Sequence, residues 1–168
     1  MKSAADCARI AVVWGRHRFT VRVERALGTR ITECDVLDLA TTDQLTEVVA
    51  ARVKAERPIR TWPESQRAAV FEHLGEIAQR LDPDHFSYLT YFQGWSELGA
   101  LRLRSIDACA NGAALWEEGA EALCLVTDDV SDGLYLDHTE SEQMNGDDEY
   151  ELWAWGRVRG CIEPTRPA

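Results

Sequence analysis

Between Ser105 and Gly156 the chain carries 14 Asp and Glu and neither Lys nor Arg. A stretch so charged can build a core only by gathering its apolar residues into short runs that share a face. Three such runs occur, at about 122–127, 134–138 and 149–158. They are short, apolar and largely alternating, which is the periodicity of β-strands.

The linker between the first two runs packs acids closely: LCLVTDDVSDGLYLDHTE, residues 123–140. A calcium loop needs oxygen ligands at positions 1, 3, 5 and 12 and Gly at 6. With Gly133 at position 6, Asp128 and Asp132 fall at 1 and 5, but Val130 falls at 3 and Thr139 at 12. The register fails, and the flanks are strand-like. The stretch therefore reads as an acidic β-hairpin, and no metal site is expected.

Towards the N-terminus, Ile10, Val12 and Trp14 alternate, as do Phe19, Val21 and Val23, with GRHR between them. This predicts two strands and a turn, with a third strand at about 30–39. Thr41 and Gln44 have the spacing of a capping box, and Leu45, Val48, Val49 and Val53 follow at helical spacing, predicting a helix from about Thr42. Pro58 and Pro63 bracket a loop, and Pro63 suits the first position of a second helix. Its stripe is Val70, Phe71, Leu74, Ile77, Ala78 and Leu81. Tyr88, Tyr91, Trp95 and Leu98 predict a third helix over 84–98, and a shorter fourth runs from Ser105 to about Glu118 across Asn111-Gly112.

The expected fold is α+β: a single domain over 1–168, with an N-terminal three-stranded meander, three or four central helices and a C-terminal three-stranded meander, the helices packed on an antiparallel sheet. The acidic β region spans about 120–158. With 168 residues and 45% hydrophobic content, a core forms without disulfides or metal as staples. Five cysteines without a CxxC pair give no framework, and no run has the length of a signal-peptide core or a membrane span. A cytoplasmic protein is expected.

Catalytic signatures are absent: neither GxGxxG nor GxxxxGK[ST] occurs, and no HxH or HxxxH pair. The alternative that keeps chemistry open is a small hydrolase using Cys124 and His138, from the two arms of the hairpin. Its discriminator is whether these groups come within hydrogen-bond reach.

Charge gives the leading functional reading. Residues 1–104 are nearly balanced, so the net charge of -11 resides almost wholly in the acidic block. Repulsion within that block opposes the compact state, and a basic partner that cancels it recovers the energy on binding. On the last run, Tyr150, Leu152, Ala154 and Val158 fall on one face, and Glu151, Trp153, Trp155 and Arg157 on the other. Aromatics mixed with charges have the makeup of a binding patch. The expectation is a non-enzymatic inhibitory binding protein of the toxin-immunity kind, occluding a basic, nuclease-like toxin. Asp128, Asp129, Asp132, Asp137, Glu140, Glu142, Asp147, Asp148, Glu149 and Glu151 would stand in for phosphates, and Tyr135, Trp153 and Trp155 would be apolar anchors. The alternative from the same argument is a phage-type anti-defence protein that mimics nucleic acid. Neither reading calls for a cofactor, a membrane or direct nucleic-acid binding.

Overall fold

The computed structural model describes residues 4–32, 35–92, 99–140 and 148–162. Its centre is a six-stranded antiparallel sheet in the order β1-β6-β5-β4-β2-β3. The strands are β1 (Arg60–Pro63), β2 (Phe86–Phe92), β3 (Leu101–Arg104), β4 (Ala120–Val126), β5 (Gly133–Thr139) and β6 (Glu149–Trp155). The edge strands β1 and β3 are four residues each. The helices are α1 (Ala4–Leu27), α2 (Leu39–Ala55), α3 (Arg67–Ala78), α4 (Ser105–Ala110), α5 (Gly112–Glu117) and α6 (Gly156–Ile162).

The sheet is covered on both faces. On one, Leu123 and Leu125 of β4, Leu134 and Leu136 of β5 and Leu152 of β6 meet Val23 of α1, Val70, Leu74 and Ile77 of α3, Leu115 of α5 and Val158 of α6. On the other, α2 lays Leu45 and Val49 over Cys124, Val126 and Trp155. The α+β class and the antiparallel sheet hold, as do the three C-terminal strands and the first predicted helix; the second keeps its apolar stripe but starts at Arg67 rather than at Pro63, which instead ends strand β1 within the expected loop.

Several details differ. The N-terminal meander is instead α1, a helix of 24 residues. Among its side chains, Phe19, Val23 and Ala26 are buried, at spacings of four and three, so the alternation of Phe19, Val21 and Val23 concealed a helical stripe. Residues 30–39 form no strand in their described part beyond an isolated bridge from Val36 to Leu101. The helix predicted over 84–98 begins as β2, whose FSYLTYF sequence is rich in β-formers; Trp95 and Leu98 lie outside the described residues. The fourth helix breaks at Asn111 into α4 and α5, and the last strand ends at Trp155, where Gly156 starts α6. The cap of α2 is Asp38 rather than the Thr41–Gln44 box: its Oδ1 accepts from Thr41 N at 3.0 Å.

Candidate functional site

The β4–β5 connection forms the predicted acidic hairpin, closed by Val126 opposite Gly133. Its six linking residues are tied by their own side chains. Asp129 Oδ1 accepts from Thr127 Oγ1 at 2.8 Å, Ser131 Oγ at 2.7 Å and Ser131 N at 3.0 Å. These bonds hold the Asp129 carboxyl down at about 2. Val130 takes a φ of 56° at the tip, and its carbonyl accepts from Trp155 Nε1 at 3.0 Å.

Asp132, the last loop residue, turns inward and is 4% exposed. Arg157 donates to it from N at 2.6 Å and from Nε at 2.7 Å. Burial pushes the Asp132 carboxyl up, but these donors, with His85, outweigh it and hold the value below the ordinary one. Gly156 makes the approach possible, since its φ of 61° is left-handed and a Cβ there would collide with Asp132 Oδ1. Behind the carboxylate the network continues: His85 Nε2 lies 3.4 Å from Asp132 Oδ2, His85 Nδ1 shares a 2.7 Å hydrogen bond with Ser105 Oγ, and Ser105 Oγ one of 2.7 Å with Ser87 Oγ. The composition is that of a Ser-His-Asp triad. Yet the hydroxyls of Ser105 and Ser87 lie in residues only 1% and 2% exposed, so a substrate has no access to them. The chain of bonds ties β2, α4, the hairpin and α6 together. In front of it is an open depression of about 290 Å³, rimmed by Asp82, Asp84, Asp128, Asp129, Arg102 and Arg157. Asp82, Asp84 and His85 carried no signal in the sequence, because the chain brings them to the hairpin from far away.

The second acidic area lies on the α2 face of the sheet. The helix stops above Trp153, whose Nε1 donates to Glu56 O at 3.3 Å. Strands β5 and β6 run on past it, and the next positions on this face are Asp137 and Thr139 on β5 and Glu151 and Glu149 on β6. Asp137 is registered directly opposite Glu151, and Thr139 opposite Glu149. Tyr135 Oη donates to Asp137 at 3.2 Å and Thr139 Oγ1 to Glu151 at 2.9 Å. Neutral hydroxyls soften the pair without cancelling its charge.

The acidic block divides accordingly. Asp107, Glu117, Glu118 and Asp132 are paired with Arg104, Arg67, Arg25 and Arg157. Among the described residues, Asp128, Asp129, Asp137, Glu140, Glu149 and Glu151 take part in no ion pair. Glu142 and Asp147 lie outside the described residues.

Two expectations about side chains are overturned. Trp153 and Trp155 do not face outward: they are 8% and 3% exposed, beneath α2. Both faces of β6 are buried along this stretch, so a mixed Trp and acid pattern marks the limit of α2 coverage rather than a solvent face. Tyr135, half-buried, packs against Trp153 with ring centroids 5.6 Å apart and planes tilted by 60°. Cys124 and His138 cannot act as a pair, because Cys124 points to α2 while His138, two positions beyond Leu136, points to the opposite face and packs on Tyr150. Burial also pushes the Cys124 thiol up to about 12, far from a reactive thiolate.

No family model, curated protein or solved structure matches the chain. No described helix is long and apolar enough to cross a membrane.

Proposed function

We propose that the chain is an inhibitory binding protein of the toxin-immunity kind, which captures a basic, nuclease-like protein on its uncovered acidic surface. The observation that carries this reading is the cross-strand pair of Asp137 and Glu151. Like charges directly opposite on neighbouring strands destabilise a sheet. Here they are left uncompensated while four other acids of the same block are matched by arginines. A solubility role gains nothing from that arrangement. A guanidinium or ammonium set between the two carboxylates would remove the repulsion and gain charge-assisted hydrogen bonds. Glu149 lies next to the pair on the same face of β6, and Asp128 and Asp129 offer a further acidic rim on the hairpin loop. With Trp153 and Trp155 in the core, the affinity in this reading comes from charge rather than from aromatic anchors.

The test is capture of partners from the native host at low salt, identified by mass spectrometry, with an Asp137→Asn/Glu151→Gln double variant alongside. A basic protein held by the wild type, released as salt rises and lost by the variant is the expected result. A partner held equally by both proteins and insensitive to salt would sink the proposal.

A further inference from the structure

The geometry points to a divalent-cation site formed by Glu64, His138 and Asp148, on the opposite face of the sheet from the acidic pair and independent of the proposal above. One ring nitrogen of His138, one carboxylate oxygen of Glu64 and one of Asp148 all lie within 4.8 Å of each other. Donors bound to one ion at about 2.0–2.2 Å stand up to about 4.4 Å apart, so small side-chain rotations suffice to close on it.

The backbone fixes the three positions. Glu64 opens the 3₁₀ turn after β1, and its N–H donates to Asp148 O at 2.8 Å. Pro63 is registered with Glu149, and His138 with Tyr150. The donors therefore come from three strand ends already held in one ladder, and binding orders little new chain. The imidazole is also not satisfied within the protein: His138 Nε2 is sequestered from solvent and has no hydrogen-bond partner, an arrangement that costs stability unless something meets it. Its ring is steadied by Tyr150, with centroids 4.7 Å apart.

One imidazole with two carboxylates suits a borderline transition cation such as Zn²⁺, Co²⁺ or Mn²⁺. Ca²⁺ and Mg²⁺ favour sites built wholly from oxygen. Three protein donors leave coordination positions for water or a partner's side chain. Glu64 is exposed, so the open positions are on the solvent side. Sequence reading missed the site because Glu64 is remote in the chain from the other two, and no pair among the three has a ligand spacing.

The experiment is titration of the chelator-stripped full chain with CoCl₂ alone, followed by calorimetry and visible absorption. One Co²⁺ per chain is expected, with d–d bands and no thiolate-to-cobalt charge-transfer band. His138→Asn, Glu64→Gln and Asp148→Asn should each weaken binding by more than about tenfold, since loss of an outer-shell partner alone costs 10–100-fold. His17→Ala should leave it unchanged. Glu64 is exposed, so its variant remains informative if His138→Asn fails to fold. A thiolate band, no binding at millimolar Co²⁺, or affinity indifferent to Glu64→Gln would overturn the assignment.

Discussion

The carboxylate of Asp132 receives Arg157 twice, from its backbone N–H and from its guanidinium, and so fastens the start of α6 to the hairpin loop. The Arg157 side chain is 73% exposed while that of Asp132 is 5% exposed, so the buried partner is the one that depends on the pair. Asp132→Ala should destabilise the protein by about 2 kcal/mol, the loss of charge-assisted hydrogen bonds from Arg157 together with the partner of buried His85, as read from urea unfolding. A change within a few tenths of a kcal/mol would show that the network is dispensable.

The same carboxylate sets a pH dependence. Its folded value lies below the ordinary 3.8, so in the window between the two the unfolded chain binds more protons and stability rises with pH. The contribution is complete above the ordinary carboxylate range and is lost as pH falls through the folded value. Thermal midpoints measured from about pH 5 downward should therefore fall less steeply for Asp132→Asn than for the wild type, relative to their values at neutral pH.

Trp155 fills space that Gly133 leaves open, for a Cβ at Gly133 would overlap the indole ring. Three replacements on β6, Leu152→Ala, Trp153→Ala and Trp155→Ala, should each cost folding about 2–5 kcal/mol. The two tryptophans should thus behave like Leu152, not oppositely to it. Unfolding of the single variants without a partner checks this.

Removing one charge of the Asp137–Glu151 pair should help the free protein while harming its proposed complex. Asp137→Asn is expected to raise stability by about 0.2–1 kcal/mol, and the gain should shrink at high salt. A loss of stability at low salt would show that the carboxylates are compensated after all.

Cys109 and Cys124 are buried, and burial pushes both thiols up to about 12. Alkylation of the native protein at mildly alkaline pH should spare both and reach the half-buried Cys161 first among the three, as mass spectrometry of digests would show. Rapid labelling of Cys124 would reopen the question of its chemistry.

What was legible in the sequence follows from how each element meets its neighbours. The stripes of α2 and α3 and the runs of β4, β5 and β6 were readable because each segment fits one period. Phe19, Val21 and Val23 fit two, and only tertiary burial of Phe19, Val23 and Ala26 selects the helix. Tyr88 and Tyr91 have helical spacing, yet β2 is covered on both faces and so shows no alternation of polar and apolar residues. The acids of the candidate surface were visible as composition. Their division into paired and unpaired sets was not, because the matching arginines come from outside the block. His85 and Asp132 are 47 positions apart, and no local pattern joins them.

The short outer strands limit how anything can attach to this sheet. On one side β1 ends at Pro63, which has no N–H to offer. On the other, β3 is met by Val36, and Leu37 N donates to Ala100 O at 2.8 Å. Among the described residues, a visiting chain finds no long row of free peptide groups to extend by strand addition. In the proposed complex, recognition would therefore rest on side chains and their charges, with ionic strength as its natural control.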